Sequence, residues 1–235
     1  MVEANVKIIE ELRCFLNTVS ECPDIRKLVT GAEQDFSRQR KLTLDRVVGI
    51  IINMPKRSLS IEIEEFFDSL GKDSGSATKG AFSLQRSKLK PLFFEAWNKW
   101  LVDNFYHYYG NKAKRWRGFR VQAVDGSTLY LLNRPELIEH FGTHGNDHGS
   151  TAMARVMQVH DLLNDITVWG GIYPIKKSER AIMAEQVAHL AEDSLTIFDR
   201  GGSRLRADVP NDERRNTQTL CYTLPGSFQQ AGGAV

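Results

Sequence analysis

The chain has 235 residues, of which 41% are hydrophobic and 26% are charged, and its formal net charge is +2. This composition is ordinary for a globular protein of one large or two modest domains, and it excludes a polycationic chain. Any nucleic-acid surface must therefore come from local clustering of Lys and Arg. No apolar run approaches the roughly 18 residues that span a bilayer, so no membrane partner is expected. Three sparse cysteines and the lack of a signal-peptide pattern predict a cytoplasmic protein.

Helical periodicity dominates the first half of the sequence. Apolar residues recur at three- or four-residue intervals near the N-terminus and again from Leu42 to Met54. Ser60 to Leu70 predicts a short helix, and Ser83 to Tyr109 predicts one long helix or a helix pair. The small polar residues of Lys72 to Gly80 between them predict a loop. We interpret residues 1–116 as a helical region that binds DNA or mediates dimerisation.

The spacing of the apolar residues changes near Arg117 from a helical period to a pattern typical of strands. The segment GFRVQAVDGSTLYL predicts a strand that ends at Asp125 and turns at Gly126 and Ser127. Further on, the Gly-, Asn- and Asp-rich segment HFGTHGNDHG predicts a loop.

Three elements follow in the rest of this region. ARVMQVHDLLNDITVWGGIYP is rich in β-branched residues and predicts a hairpin of two longer strands, with its turn at residues 163–165. Ser178 begins a capped amphipathic helix, and Ser194 to Asp199 is the next strand. The predicted order is three strands, a helix and a strand, which places this part of the chain in the α/β class.

Two aspartates, Asp125 and Asp199, each end a predicted apolar strand. If the two strands are parallel neighbours, both carboxylates emerge at the same edge of the sheet. They would repel each other unless a divalent cation lay between them, and oxygen ligands alone favour Mg²⁺ or Mn²⁺. Asp is also common in turns for its capping ability, so a purely structural role is the alternative.

The amino-acid sequences of these two segments resemble the motifs of a known family. AVDGST around Asp125 and IFDRG around Asp199 are similar to motifs of the DDE-type bacterial insertion-sequence transposases, specifically the family often called IS-four. The resemblance extends roughly from Leu42 to Gly201 and includes the SERAIMAEQ helix. It implies a ribonuclease-H-like fold in which Asp125 and Asp199 are the first two of three acidic ligands of Mg²⁺ or Mn²⁺.

The activity that this resemblance implies is hydrolytic nicking of DNA at transposon ends, followed by strand transfer by the freed 3′-hydroxyl. The partner would be the terminal repeats of the transposon, and a homodimer is one expected assembly. In the family, the third acid is a glutamate within a Tyr-Arg-Glu-Lys type signature on a later helix. No such signature occurs after Gly201, and Glu213 stands in a charged context to which we do not transfer the role.

The last residues, 202–235, show no apolar period and depart from the family pattern. We interpret them as a non-native or disordered tail, produced by a frameshift near Gly202. An ordinary disordered tail is the alternative, and the nucleotide sequence of the gene would distinguish the two. Residues 117–201 would then be the N-terminal part of an incomplete ribonuclease-H-like mixed-sheet domain. Such a chain is expected to be an inactive transposase fragment, or a DNA-binding or dimerising fragment that inhibits the full-length enzyme.

A basic segment precedes the strand that carries Asp125. It contains five cations around Trp116 and Phe119, namely Lys112, Lys114, Arg115, Arg117 and Arg120. Cations neutralise phosphates and aromatic rings stack on bases, so the segment is a candidate DNA contact. A solvated linker between domains is the alternative. Arg200 follows Asp199 and is a candidate to hold a DNA phosphate or to orient that carboxylate, or is simply exposed at the end of a strand.

Overall fold

The computed structural model describes residues 2–38, 40–54, 57–71, 75–146, 149–186, 190–191 and 193–198. The chain divides into two compact units, residues 1–109 and 110–235. The tail at 202–235 and both Asp199 and Arg200 lie outside the described residues.

The first unit is helical. Its described residues form the α-helices α1 (Val2–Glu21), α2 (Pro23–Val29), α3 (Leu44–Asn53), α4 (Leu59–Ser69), α5 (Lys79–Arg86) and α6 (Pro91–Tyr109). The helices expected near the N-terminus, around Leu42 to Met54 and around Ser60 to Leu70 are confirmed as α1, α3 and α4. The segment from Ser83 to Tyr109 is a helix pair, because α6 restarts at a proline suited to the first turn of a helix.

Helix α3 is central to this unit because it is buried on two faces. Leu44 and Val48 belong to one apolar cluster with Val19 of α1 and Phe93 of α6. Its other buried face contributes to a second cluster, whose members are Leu42, Val47, Ile50, Ile63, Phe67 and Phe82. A helix with apolar residues on two faces is stable only where both are covered, which explains why the helices gather around it.

The second unit contains a mixed five-stranded sheet. Its described elements are β1 (Arg120–Tyr130), α7 (Pro135–Phe141), β2 (Thr143–Asn146), β3 (Gly149–Asp161), β4 (Ile166–Pro174), α8 (Glu179–Gln186) and β5 (Ser194–Phe198). Strand β3 pairs antiparallel with β1, β2 and β4, whereas β1 pairs with β5 in parallel. The expected hairpin, capped helix and final strand are thus present, and the α/β class, with a helical region followed by a mixed sheet, is confirmed.

Two local predictions are wrong. The turn expected at Gly126 and Ser127 is absent from this described stretch, and β1 continues to Tyr130 because β3 is long enough to supply partners as far as Met153. The loop expected around HFGTHGNDHG contains β2, which forms a hairpin with the start of β3. Gly145 makes this hairpin possible, since a Cβ at that position would lie 2.1 Å from the carbonyl oxygen of Gly149.

Helix α8 covers one face of the sheet. Ile182 and Met183 are buried against Val124 of β1 and Phe198 of β5 in the main apolar cluster of this unit. Ser178 caps the helix by accepting a hydrogen bond from the backbone N–H of Ala181 at 3.2 Å. Among the described residues, none of the helices is both long and apolar enough to cross a membrane.

The β3–β4 turn depends on Asp161, which is fully buried at the end of β3. One carboxylate oxygen accepts hydrogen bonds from the backbone N–H groups of Leu163 and Asn164 at 2.9 and 3.0 Å. The other accepts from the Asn164 side chain at 2.9 Å. This arrangement fixes the turn and orients Asn164.

Replacing Asp161 with Ala should therefore destabilise the protein by about 2–3 kcal/mol, because three partly buried donors lose a charged acceptor. Urea unfolding followed by tryptophan fluorescence would measure the change. The matched control is Asp165→Asn in the same turn, where the side chain is 98% exposed and the expected change is within about 0.5 kcal/mol. Equal effects of the two substitutions would contradict this role of Asp161.

Candidate functional site

Asp125 lies within β1 and its side chain is exposed. On one side it is aligned with Gln158 of β3. On the other side, the last described pair in the parallel register of β1 and β5 is Val124 with Phe198, the residues directly before Asp125 and Asp199 in the sequence. In the part of the chain that the structure describes, the Asp125 carboxylate has no hydrogen-bond or ion-pair partner.

Asp125 and helix α8 lie on opposite faces of the sheet. A Cβ on Gly126 would lie 2.9 Å from Oε1 of Glu179, so the side-chain direction of Gly126 points to the face that α8 covers. Successive residues of a strand point to opposite faces, and Asp125 therefore points away from α8. Glu179 of α8 lies beside Gly126, the residue next to Asp125, but on the opposite face of the sheet, so the two carboxylates do not share a cation.

Glu179 has a different partner. Its Oε1 accepts from Nη1 of Arg155 in β3 at 2.5 Å, and the Arg155 side chain is only 22% exposed. This ion pair ties the first turn of α8 to β3 beside Gly126. Sequence reasoning does not find it, because the two residues are 24 positions apart and no local pattern links them.

The basic segment before β1 forms a small hairpin. Trp116 and Phe119 are bridged by backbone hydrogen bonds of 2.9 Å in both directions. The two residues at the tip, Arg117 and Gly118, have φ angles of +51° and +89°, which suit a tight two-residue turn. The Arg117 guanidinium lies 4.8 Å from the centre of the Trp116 ring, which is 47% exposed.

Two of the five cations in this segment are engaged within the protein. Arg115 forms an ion pair with Asp193, and Arg120 contacts the other oxygen of Asp193 at 3.1 Å. Partial burial by itself raises the pKa of the Asp193 carboxyl, but the hydrogen bond from Arg115 and the positive charges of Arg120 and Arg115 lower it overall. These two arginines therefore join the start of β1 to the start of β5.

The other three cations face solvent. Lys112, Lys114 and Arg117 are exposed, and among the described residues their charged groups take part in no ion pair. Lys114 is nevertheless fixed through its backbone, because Asn164 accepts from its N–H at 2.8 Å and donates to its carbonyl oxygen at 3.0 Å. The segment thus presents three cations and an exposed indole on an anchored loop.

Comparison with known proteins gives one informative likeness. No family model matches the chain. The chain is 27% identical over 93 residues to the protein named "Putative transposase InsZ" of Escherichia coli strain K12, an alignment that covers 36% of this chain and 29% of that protein. The likeness supports a relationship to a transposase-like protein.

The ion pairs of Asp193 predict a pH dependence of stability. A carboxyl with a lowered pKa in the folded state stabilises the protein fully above its unfolded pKa of about 4, and this contribution is lost as the pH falls through the folded value. Asp193→Asn should cost about 1 kcal/mol at pH 7, since the pairs are partly exposed, and progressively less below pH 4. Urea unfolding at pH 7 and at pH 3 would measure it. A constant cost across this range would contradict the assignment.

Proposed function

We propose that this protein is a DDE-type, IS-four-like transposase by descent, with a ribonuclease-H-like sheet and with Asp125 and Asp199 as two ligands of Mg²⁺ or Mn²⁺. The observation that carries the proposal is the parallel register of β1 and β5, whose last described pair, Val124 and Phe198, directly precedes the two aspartates in the sequence. If the register continues by one residue, the two aspartates are neighbours at the usual strand spacing of about 4.8 Å. The likeness to a transposase supports the same function.

The proposed ligands suit such a cation. Asp125 is exposed and, within the described residues, is held by no partner, so its oxygens are available. Oxygen ligands alone select a hard cation such as Mg²⁺. When bound, the cation would stabilise negative charge on the reacting phosphate and activate water or a 3′-hydroxyl. Asp125 and Asp199 would hold it, while the exposed cations of the basic segment would bind the neighbouring DNA phosphates.

The chain supplies only two of the three acids that the family uses, because no matching glutamate follows Gly201 in the sequence. We therefore propose that these 235 residues by themselves have little or no strand-transfer activity. A second function is favoured by the separate apolar clusters of the helical unit. A unit with its own core can bind DNA or a second copy without the sheet, and so compete with a complete transposase.

The cation site predicts weak binding of Mn²⁺ by the intact chain. Asp125→Asn and Asp199→Asn should each weaken it at least about tenfold, because each removes a charged ligand. Titration followed by the electron paramagnetic resonance of free Mn²⁺ would measure the change, with Asp165→Asn as the control. Unchanged Mn²⁺ binding in both variants would refute the cation site. The expected lack of transposase activity would be refuted if the wild-type chain cleaved transposon-end DNA and Asp125→Asn abolished that cleavage.

The basic segment predicts a DNA contact. Replacing Lys112, Lys114 and Arg117 together with Gln should weaken binding to duplex DNA that carries the transposon ends. It should also lower the slope of log K against log salt by about 0.9 for each phosphate that the variant no longer neutralises. Gel shifts over a range of salt concentrations would measure both. Lys176→Gln, an exposed cation elsewhere in the same unit, is the control, and an unchanged salt slope in the triple variant would argue for a mere linker.

A further inference from the structure

The helical unit contains a cleft of about 250 Å³ that the proposed chemistry does not use. Its lining residues between α2 and α3 are Gln34, Asp35, Phe36, Arg38, Arg40 and Leu42. The other two are Gln85 in the last turn of α5 and Lys88 just after that helix. The backbone N–H of Gly31, three residues before Gln34, donates a 2.8 Å hydrogen bond to the carbonyl oxygen of Lys88 and so joins the two segments that line the cleft. This hydrogen bond fixes the positions of the two segments relative to each other.

Positive charge predominates among the side chains that line this cleft. The lining includes three cations, Arg38, Arg40 and Lys88, and a single carboxylate, Asp35. One oxygen of Asp35 lies 3.4 Å from the Lys88 ammonium, and the other accepts a hydrogen bond from the backbone N–H of Ala32 at 2.9 Å. In the described parts of the chain, Arg38 and Arg40 have no hydrogen-bond or ion-pair partner. Two guanidinium groups are thus available to an anion, and the carboxylate is already neutralised.

Phe36 forms an apolar part of the cleft in an unusual conformation. Its φ angle is +57°, a region that bulky residues rarely adopt and that usually marks strain held in place by surrounding structure. The side chain packs against both apolar clusters of the unit, and the Lys88 ammonium lies 5.9 Å from the centre of its ring. The core therefore fixes the position of Phe36 beside Lys88.

We propose that this cleft binds a phosphate ester, with Arg38 and Arg40 as the groups that contact the phosphate. The planar guanidinium group donates two parallel hydrogen bonds to phosphate oxygens, and Gln85 adds a neutral donor. The volume lies below the roughly 300–1,000 Å³ of typical small-molecule sites, which suits one sugar–phosphate unit. We assign this sugar–phosphate unit to the backbone of duplex DNA, an assignment that rests on the proposed function. A free nucleotide is the other possible source of a phosphate ester.

The test uses the full chain with a labelled duplex of arbitrary sequence, measured by fluorescence anisotropy, and adenosine monophosphate, measured by amide chemical shifts. The double variant Arg38→Gln with Arg40→Gln should weaken duplex binding at least about tenfold, because it removes hydrogen bonds to a charged phosphate. The matched control, Arg13→Gln with Lys27→Gln, removes two exposed cations of the same unit outside the cleft. Thermal melting of both variants establishes that they are folded.

Each outcome is decisive. Weaker duplex binding in the cleft variant alone supports the proposal. If duplex binding weakens equally in the cleft variant and the control variant, or stays unchanged in both, the cleft proposal is overturned. A DNA-binding function of the chain is left intact in either case. If the wild-type chain binds no duplex but the nucleotide shifts the amides of Gln85 and Lys88, the cleft is a phosphate site and the DNA function is wrong. If neither probe binds, the cleft proposal is overturned along with its assigned ligand.

Discussion

The parallel pairing of β1 with β5 is the interaction on which the candidate site depends. It joins Arg120–Val124 to Ser194–Phe198 and brings together parts of the chain that are more than 70 positions apart. Antiparallel neighbours can be connected by a short turn, whereas parallel neighbours need a long crossover. Here that crossover includes the β3–β4 hairpin and α8, so the position of β5 beside β1 depends on how these intervening elements pack.

Polar side chains that are buried where β1 pairs with β3 and β5 reduce the stability of the sheet. Gln122 is fully buried, aligned with Asp161 of β3 on one side and with Thr196 of β5 on the other. Its amide atoms and the Thr196 hydroxyl have no hydrogen-bond partner among the described residues, and each such group costs about 1–3 kcal/mol. The ladder of backbone hydrogen bonds, the apolar contacts of Val124 and Phe198 and the two ion pairs of Asp193 offset this cost.

How far the sequence predicts the fold can be seen from particular elements. Helix α3 and the β3–β4 hairpin are clear in the sequence because their apolar periods are strong and their ends carry recognisable signals. The end of β1 is predicted wrongly because Asp-Gly-Ser is a good turn sequence in isolation, and the long partner strand β3 overrides that local preference. Strand β2 escapes prediction for a related reason, since glycines that normally indicate a loop here permit close contact between two backbones.

Some features of the candidate site can likewise be predicted from the sequence, whereas others depend on the tertiary structure. Asp125, its place directly after an apolar stretch, and the cluster of cations before it can be read from the sequence, because residue type and short spacing are local properties. Only the tertiary structure decided that Asp125 and Glu179 lie on opposite faces of the sheet, that Asp193 engages Arg115 and Arg120, and that Arg38, Arg40 and Lys88 line one cleft. Hydrogen bonds need donor and acceptor within about 3 Å, and exposed charges interact appreciably only within a screening length of about 8 Å. Which residues come that close is determined by how distant segments pack.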